Sequence, residues 1–376
     1  MRVALVVPDL MPKSGGPARN VPALAEALGA GGIDVEVHTI GPTPVAREAR
    51  VTYRAAHAQR PRRLGRSAEL MANLLASSAD LIHAHCLWML PLGYAARAAR
   101  ERKVPLIISP RGMFAPWSLR RSRLRKALAA RVVHPSAFRA AAGWHATSPQ
   151  EARDIRALGH QQPVFVIPNG VEPDSATESA RSHYRERAPR IDGRRVLLFY
   201  SRFHAKKRVL ELMADFAEIS RRRPEWYLLV VGIPEQYSVA RLEAEAERLG
   251  MSDRCRVLDG LNGPKPYAVA ELLALPTHDE NFGQVVAEAL CAGLPVITTT
   301  GTPWQELNER GAGRCVDLAD FPRDLDALMD RSADELRRAG ERGREWARAT
   351  LDWRIIGLQM AEAYGRILEQ WRGGRL

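Results

Sequence analysis

Residues 278–307, HDENFGQVVAEALCAGLPVITTTGTPWQEL, contain two glutamates eight positions apart, Glu280 and Glu288. Apolar residues at helical spacing predict a helix that Asp279 caps at its N-terminus and that a glycine ends. The run 295–299 then predicts a buried strand. In this arrangement Glu280 lies at the start of the helix, and Glu288 lies about two turns further in on nearly the same face.

Each glutamate has an ordinary explanation and a functional one. A carboxylate at a helix start is commonly a cap, whereas one placed two turns inside, among apolar neighbours, needs a polar partner. The N–H groups at the helix start can also hold an anion such as a phosphate. A ligand that is part phosphate and part polyol fits both glutamates, but geometry alone leaves a cap plus a solvated glutamate equally open.

The composition is typical of a soluble globular protein. The 376 residues are 46% hydrophobic and 26% charged, which suits roughly two to three domains with cores of their own. No long apolar run predicts a membrane span, and the first residues lack the pattern of a signal peptide. The four cysteines are scattered without a C-x-x-C pair, so we expect no disulfide, no cysteine zinc site and a reducing cytoplasm.

The formal net charge of +12 favours anionic partners: phosphorylated small molecules, acidic membrane surfaces or nucleic acid. Two basic clusters lie in the first half of the chain, at 60–66 and 120–126. The second contains Arg120, Arg121, Arg123, Arg125 and Lys126. These clusters can dock on anionic lipid or hold a lipid-linked diphosphate, and a solvated helix face is the alternative. The sequence shows no zinc finger, RNP-type aromatic motif or recognition helix, so no nucleic-acid partner is expected.

The first half of the chain predicts alternating strands and helices. Residues 2–8 predict an apolar strand, a loop with Ser14, Gly15 and Gly16 follows, and a helix and a second strand at 34–39 complete a βαβ unit. The glycines offer backbone N–H groups and room for a ligand, although a tight turn would look the same. The loop lacks G-x-G-x-x-G and the chain lacks a P-loop sequence, which argues against a nicotinamide site and a P-loop ATPase.

The alternation of strands and helices later starts again. Residues 172–194 lose the periodicity and predict a link between domains, after which a second series begins at Arg195. The sequence therefore predicts an N-terminal domain over 1–175, a C-terminal domain over 190–352 and an amphipathic helix within 353–376. Both domains are expected to be doubly wound α/β units, with the ligand at the carboxyl ends of their strands.

Two further groups of residues are candidates for chemistry. Arg202 and Lys207 follow the first strand of the second domain, where an arginine fork and a lysine point charge can bind a diphosphate; a solvated basic turn is the alternative. His83 and His85 are expected to point to opposite faces of a strand and so not to share a metal. The D-x-D pair at 324–326 lies in a charged region and is a poor metal clamp, so no metal site is expected.

The ordered motifs resemble those of one family. The segment 280–288 resembles the E-x7-E motif of the retaining glycosyltransferases of the GT-B fold, glycosyltransferase family 4, and the CAGLPVI sequence at 291–297 continues it. Residues 201–207 are similar to the Arg/Lys pair of that family, and residues 14–16 to its N-terminal glycine loop. Further segments resemble the branch that builds bacterial exopolysaccharide and lipopolysaccharide: 109–113, 146–151, 167–171 and 301–307.

This resemblance implies a fold and a set of roles. The fold would be GT-B, with two Rossmann-like domains facing across a cleft and the last helix crossing back to the first domain. Arg202 and Lys207 would neutralise the donor diphosphate and Glu280 would hold hydroxyls of the donor sugar, which makes these three the catalytic candidates. Glu288 would accept hydrogen bonds from the ribose hydroxyls. The other donor-binding residues that the resemblance implies are Gly15, Gly16, Arg111, Asn281, Phe282, Gly283 and Gln284.

One position departs from much of the family. Many relatives have a histidine where this chain has Arg111, and an arginine cannot act as a general base at neutral pH. The branch that this chain resembles carries an arginine there too, so activity is expected but a side-chain base is not. Arg111 is therefore expected to bind the phosphate or the sugar of the donor.

The implied activity is the transfer of a hexose, with retention and without a metal or other cofactor. The donor would be a UDP- or GDP-sugar, and the acceptor a saccharide or lipid-linked saccharide. The enzyme would be cytoplasmic or peripheral on the inner face of the plasma membrane. Two alternatives stay open: a basic nucleic-acid- or membrane-binding protein on a catalytically silent scaffold, and a GT-B phosphorylase or epimerase.

Overall fold

A computed structural model describes residues 1–11, 15–120, 135–172 and 177–374 of the chain. The protein divides into two compact units. The first unit contains residues 1–170 and 353–376, and the second contains residues 171–352. Among the described residues, none of the helices has both the length and the apolar composition that a membrane span requires.

The strands described in the structure all pair in parallel. In chain order they are β1 (Arg2–Val6), β2 (Asp34–Ile40), β3 (Val51–Ala56), β4 (Leu81–His85), β5 (Leu106–Ser109), β6 (Ala141–Ala146), β7 (Val164–Val166), β8 (Arg195–Tyr200), β9 (Trp226–Gly232), β10 (Cys255–Asp259), β11 (Leu272–Leu275), β12 (Val296–Thr299) and β13 (Gly313–Val316).

The helices alternate with these strands, as expected for connections between parallel strands. They are α1 (Gly16–Ala30), α2 (Ala68–Ala76), α3 (Leu90–Arg102), α4 (Pro116–Arg120), α5 (Pro135–Ala140), α6 (Pro149–Ala157), α7 (Glu178–Arg187), α8 (Val209–Ile219), α9 (Val239–Arg248), α10 (Gln284–Cys291), α11 (Phe321–Met329), α12 (Ala333–Leu351) and α13 (Trp353–Arg372).

The first unit has a seven-stranded sheet in the order β3-β2-β1-β4-β5-β6-β7. The chain therefore winds outward from β1 in one direction and from β4 in the other, which makes the sheet doubly wound. Both faces are covered: Val3 and Leu5 pack in one apolar cluster, whereas Ala4 and Val6 pack in another. Successive side chains of a strand point to opposite faces, so a near-continuous apolar strand is what such a sheet requires.

The second unit has a six-stranded sheet in the order β10-β9-β8-β11-β12-β13. The winding reverses between β8 and β11, and the loops that follow these two strands lie at the reversal point where doubly wound folds bind ligands. Its core is one apolar cluster that includes Phe199, Phe216 and Trp226. The Trp226 indole N–H is satisfied by the carbonyl of Met329 at 3.0 Å. The predicted α/β class, with two Rossmann-like parallel sheets, is confirmed.

The last helix, α13, belongs to the first unit and packs against α1. Its apolar face was predicted from its spacing, and Ile356, Met360, Tyr364 and Ile367 are all at most 3% exposed. The two helices approach closely at Gly357, where an added Cβ atom would lie 3.0 Å from the Ala27 carbonyl oxygen. The apolar face that the sequence pattern predicts is therefore the face that is buried in this packing.

The stretch 172–194 differs from its prediction as an irregular link. It contains α7, whose N-terminus is capped by the Thr177 hydroxyl, which accepts from the amide of Ala180 at 3.2 Å. Tyr184 is 2% exposed and donates to the Pro264 carbonyl at 2.5 Å. Only a few apolar residues of this helix are buried, so the helical spacing of apolar residues is weak in this part of the sequence. Strand β3 and helix α2 also went unpredicted.

Helix α8 contains an acid whose ionisation opposes folding. Burial raises the pKa of Asp215 to about 6; Arg208 opposes the shift, and Glu211 and Glu218 add to it. The ionised carboxylate is therefore disfavoured in the folded state, and stability falls as the pH rises from about 4 through about 6.

We expect Asp215→Asn to raise the free energy of unfolding by about 1–2 kcal/mol above pH 7, because asparagine never ionises. The gain should shrink towards pH 4.5, where the aspartic acid of the folded wild type is largely neutral. Urea titrations of both proteins at pH 4.5 and 7.5 measure the difference. An equal difference at the two pH values would contradict the assignment.

Candidate functional site

The loop after β8 carries the two basic residues that the sequence analysis assigned to a diphosphate. Arg202 has a side chain that is 53% exposed, and its Nη1 lies 2.7 Å from Oε2 of Glu235. Lys207 ends a 3₁₀ turn at 205–207, and its side chain is only 8% exposed. The two cations therefore differ, because the surface ion pair of Arg202 is weak and readily exchanged, whereas Lys207 is buried and its partner is partly buried.

That partner is Glu280, in the loop after β11. The Nζ atom of Lys207 donates to Oε1 of Glu280 across 73 positions of sequence. Since β8 and β11 are neighbouring strands, the loops that follow them meet at one edge of the sheet. Burial lowers the pKa of Lys207 from its usual value, and the Glu280 carboxylate opposes this shift. The structure thus brings two of the three predicted catalytic residues together, while Arg202 takes a different partner.

A second lysine and carboxylate reinforce this contact. Lys206 Nζ lies 2.7 Å from Oδ2 of Asp279, and the Lys206 carbonyl accepts from the amide of His278 at 2.9 Å. The Glu280 amide donates to the Gly301 carbonyl, also at 2.9 Å. A Cβ atom on Gly301 would lie 2.2 Å from the carbonyl oxygen of His278. Only glycine therefore allows the backbone approach that fixes the loop bearing Glu280.

Helix α10 begins later than predicted. Asp279 is not its cap; that position belongs to Gly283, which has a left-handed φ of 77°. The indole N–H of Trp304 donates to the Phe282 carbonyl at 2.6 Å and holds this turn in place. Glu280 consequently lies in the loop before the helix and not at its N-terminus. The predicted donor-binding residues at this turn form one stretch: Asn281, Phe282, Gly283 and Gln284.

Glu288 lies inside α10 and is 6% exposed. Its Oε2 accepts from the Tyr267 hydroxyl at 2.9 Å, and its Oε1 lies 3.0 Å from Nζ of Lys265. The Tyr267 ring packs edge-on against Tyr200, the last residue of β8, with 5.6 Å between centroids. Sequence reasoning required a partner for this carboxylate but did not identify Lys265 or Tyr267, because nothing in their spacing marks them.

In the first unit, the glycine loop after β1 leads into α1. Gly15 is the N-cap of this helix with a φ of 78°, and Gly16 is its first residue. A Cβ atom on Gly15 would have nothing within 4 Å, so glycine is needed there for backbone conformation and not for space. Ser14, which the sequence analysis placed in the same loop, lies outside the described residues.

Arg111 lies in the loop after β5 and has a positive φ of 57°. Its Nη1 donates to Oδ1 of Asn169 at 2.6 Å, and its Nη2 lies 3.0 Å from Nδ1 of His85. Burial lowers the pKa of Arg111 from its usual value, and the negative charge of Glu151 opposes the shift. Arg111 and its two contacts thus lie at the carboxyl ends of β5, β4 and β7.

The prediction that His83 and His85 point to opposite faces is wrong. Their ring centroids are 4.0 Å apart, because residues two positions apart on a strand share a face. His83 Nδ1 lies 2.7 Å from the Tyr364 hydroxyl, and the His145 ring packs 5.3 Å from that of His83. Within the part of the chain that the structure describes, no group of three or more possible ligands could hold a metal ion.

Two further candidates from the sequence are the second basic cluster and the D-x-D pair. Arg121, Arg123, Arg125 and Lys126 of the second basic cluster lie outside the described residues, as does the side chain of Arg120. The D-x-D aspartates form ion pairs with neighbouring arginines: Asp326 contacts Arg223 at 2.6 Å, and Asp324 contacts Arg323 at 2.8 Å. Structural ion pairs account for this D-x-D sequence.

Comparison with known proteins matches both halves of the chain to glycosyltransferases. Residues 15–170 match the Glycosyl transferase 4-like domain, and residues 181–346 match Glycosyl transferases group 1. The GDP-mannose:cellobiosyl-diphosphopolyprenol alpha-mannosyltransferase of Komagataeibacter xylinus is 26% identical over 307 residues, which cover 77% of this chain and 72% of that protein.

Solved structures show the same fold. Sucrose-phosphate synthase from Thermosynechococcus elongatus aligns with a TM-score of 0.76 at 20% identity, over 98% of this chain and 99% of its own. Anabaena HepE, solved in complex with UDP and glucose, aligns with a TM-score of 0.76 at 20% identity, over 97% and 100%. With two Rossmann-like sheets and these two domain matches in order, the chain belongs to the family 4, group 1 glycosyltransferases of the GT-B fold.

Proposed function

We propose that this glycosyltransferase moves a hexose from a UDP- or GDP-sugar to a saccharide or lipid-linked saccharide, with retention at the anomeric carbon and without a metal. The acceptor would serve bacterial cell-surface polysaccharide synthesis at the cytoplasmic face of the membrane. One observation carries the proposal: the buried Lys207–Glu280 contact and Glu288 lie around the loops that follow β8 and β11. A diphosphate flanked by two sugars suits this combination of a cation and carboxylates.

Each of these residues has a role in the proposed reaction. Lys207, joined by Arg202, donates to the diphosphate oxygens, where negative charge grows as the bond to the sugar breaks. Arg202 is free to join because its surface pair with Glu235 is weak. Glu280 keeps Lys207 oriented before the donor arrives and then accepts from hydroxyls of the sugar. Glu288, fixed by Tyr267 and Lys265, accepts from the ribose hydroxyls.

The acceptor hydroxyl forms the new bond to the anomeric carbon on the face from which the diphosphate leaves. The bond between that carbon and the phosphate oxygen breaks, and the hydroxyl proton passes to the departing diphosphate. Arg111 is a donor-only side chain and takes no part as a base. Two similar proteins support the substrates: the mannosyltransferase relative is named for GDP-mannose and a cellobiosyl-diphosphopolyprenol, and HepE was solved with UDP and glucose.

The proposal is tested with a panel of UDP- and GDP-hexoses. We expect at least one to bind with a dissociation constant of about 1 μM to 1 mM and to be hydrolysed slowly when no acceptor is present. The anomeric configuration of the transferred sugar, read by NMR after addition of an acceptor, tests retention. Folded protein that binds none of the panel would refute the proposal. Phosphate-dependent release of sugar phosphate, or a changed sugar without an acceptor, would indicate a phosphorylase or an epimerase instead.

A further inference from the structure

The second unit contains a cavity that the proposed reaction does not use. Its volume is about 170 Å³, and it lies between α7, the residues that lead into β8 and the 3₁₀ turn Pro266–Val269. Its charged lining residues are Arg181, Arg185, Arg194 and Asp192. Three guanidinium groups and one carboxylate give the described lining an excess of positive charge, which favours an anionic ligand.

This cavity is separate from the loop that was assigned to the diphosphate. Arg194 directly precedes β8, whereas Arg202 and Lys207 follow it. Strand β8 has six residues, and a parallel strand of that length spans about 20 Å. A single phosphate group cannot bridge this length, so the cavity is a second site and not an extension of the first.

Two of the arginines are oriented by neutral acceptors. Arg181 Nε donates to the Ala268 carbonyl at 3.3 Å, and Arg194 Nη1 donates to the Asp253 carbonyl at 3.0 Å. A backbone carbonyl carries no net charge, and each guanidinium has five N–H donors. These contacts therefore fix the direction of both side chains while leaving N–H groups and positive charge for a ligand.

The carboxylates beside the cavity neutralise it only weakly. Arg185 Nε lies 3.0 Å from Oδ1 of Asp192, and both side chains are more than half exposed. Glu178 lies at the longer distance of 3.8 Å from Arg181 and is also largely exposed. Exposed ion pairs of this kind are weak and exchange readily, so an anionic ligand can replace either carboxylate.

Helix α7 fixes two of the cations relative to the rest of the unit. Arg181 and Arg185 are four positions apart, so they share one face of the helix. Between them, Tyr184 is buried and donates to the Pro264 carbonyl at 2.5 Å, which anchors the helix beside the 266–269 turn. The two guanidinium groups are therefore positioned before a ligand arrives, which lowers the cost of binding.

The size of the cavity and the chemistry of its lining select the ligand. Pockets for drug-sized ligands occupy about 300–1,000 Å³, so a cavity of about 170 Å³ is too small for a whole nucleotide-sugar and suits one phosphate group. Guanidinium groups bind phosphate through paired N–H donors, and the tetrahedral anion can accept from several of them at once. We infer that this cavity binds a small phosphoryl anion, such as inorganic phosphate or the phosphate group of a sugar phosphate.

The site adjoins the residues that hold Glu288. Its wall includes Ala268 and Val269, the next two residues after Tyr267, whose hydroxyl donates to Glu288 at 2.9 Å. An anion bound by Arg181 ties α7 to this turn and so restricts the motion of Tyr267. We therefore expect the anion to lower the dissociation constant of a nucleotide, by no more than about threefold, because Tyr267 only positions the carboxylate. This consequence, unlike the site itself, rests on the proposed function.

Inorganic phosphate tests the site directly. Urea unfolding at increasing phosphate concentrations, with the ionic strength held constant by sodium chloride, gives the dissociation constant for phosphate. We expect Arg181→Gln to raise this constant by at least about tenfold, because charge-assisted hydrogen bonds are lost. Asp192→Asn should lower it by about two- to fivefold, because the competing carboxylate is removed.

Arg187→Gln is the matched control, because Arg187 is an exposed residue of the same helix and does not line the cavity. Its dissociation constant for phosphate should stay within about twofold of wild type. Phosphate bound near Lys207 and the general effect of phosphate on unfolding act on both arginine variants alike. The difference between the two variants therefore isolates the cavity. If Arg181→Gln does not fold, Arg185→Gln takes its place.

Equal phosphate dissociation constants in the Arg181→Gln and Arg187→Gln variants would overturn the site. Sedimentation with phosphatidylglycerol vesicles provides the second arm. If Arg181→Gln loses vesicle binding but keeps its affinity for inorganic phosphate, these arginines dock on a membrane surface, and the cavity is not a site for a soluble anion.

Titration with UDP and GDP, with and without saturating phosphate, tests the link to Glu288. Phosphate should lower the nucleotide dissociation constant of wild type relative to that of Arg181→Gln by up to about threefold. An equal effect of phosphate in both proteins would overturn the link alone. Wild-type protein that binds neither nucleotide would refute the proposed function and leave the phosphate site standing, so the two failures are distinguishable.

Discussion

Replacing Lys207 with alanine is expected to lower kcat by about 10²–10³-fold. The reason is the position of its charge. Lys207 is buried at the carboxyl end of β8, and a cation there acts in a medium of low polarity, where it stabilises growing negative charge far better than in water. The loss should appear in kcat more than in the donor dissociation constant, because the diphosphate carries most charge as the sugar leaves.

Loss of folding could imitate this result, because Lys207→Ala leaves the Glu280 carboxylate without its cation. Removing one partner of a buried pair costs about 3–5 kcal/mol, whereas replacing both by neutral groups is far less harmful. The double variant Lys207→Met with Glu280→Gln should therefore regain much of the stability but none of the activity. Urea titrations and turnover measurements on all three proteins separate the two effects.

Lys206→Ala is the matched control. Lys206 is the adjacent residue, is also paired with a carboxylate and is also partly buried, but its pair with Asp279 stands beside the proposed diphosphate site and not in it. We expect its kcat to fall by less than about tenfold. Turnover of Lys207→Ala within about threefold of wild type, or an equal loss in both lysine variants, would show that Lys207 does not stabilise the leaving diphosphate.

The strands that place these residues were predictable, because their signal is local. Near-continuous apolar runs such as that of β1 predicted a sheet covered on both faces, and the alternation with helices predicted parallel, doubly wound sheets. That topology also makes the loops after β8 and β11 neighbours. The meeting of Lys207 and Glu280 therefore follows from the order of the strands, even though 73 residues separate them.

The start of α10 was not predictable from capping preferences alone. Asp279 is a good N-cap by type, but its carboxylate contacts Lys206, a residue distant in sequence. Gly283 is the cap instead, since its left-handed φ lets the chain turn under Trp304. Two long-range contacts thus outweighed a local preference. The sequence analysis therefore put Glu280 at the start of the helix, whereas it lies in the loop before it.

The residues that contact Glu288 from other elements were not predicted from the sequence, for a similar reason. Tyr267 and Lys265 precede β11, and only the packing of that turn against β8 and α10 brings them to Glu288. His85 was misplaced by an error in the strand period, and Asn169 carries no spacing signal relative to Arg111. Sequence reasoning can require a partner for a buried charge, but the identity of the partner depends on the tertiary structure.

Glu288→Gln is expected to raise the donor dissociation constant by about 10–10²-fold while kcat changes by less than about threefold. A carboxylate accepts hydrogen bonds through both oxygens, and its charge strengthens each of them. In the free protein these oxygens already contact Lys265 and the Tyr267 hydroxyl, so the group is held in place before the donor arrives. In the proposed function, the ribose hydroxyls donate to the remaining lone pairs.

Glutamine retains the shape but not the acceptor capacity. Its one oxygen must face Lys265, because an NH₂ group cannot accept from an ammonium, and its NH₂ then faces the phenol oxygen of Tyr267. The fold therefore survives, while the ribose loses its charged acceptor. Titration with the nucleotide-sugar, alongside circular dichroism, measures both effects.

Tyr267→Phe provides the comparison for positioning. It leaves the carboxylate charged but removes one of the groups that hold it, so we expect the donor dissociation constant to rise by only about three- to fivefold. In the proposed function the ribose is remote from the breaking bond and gains no charge there, so we expect Glu288 to contribute equally to the bound and the reacting states. A fall in kcat with unchanged donor affinity would instead assign Glu288 to the chemical step.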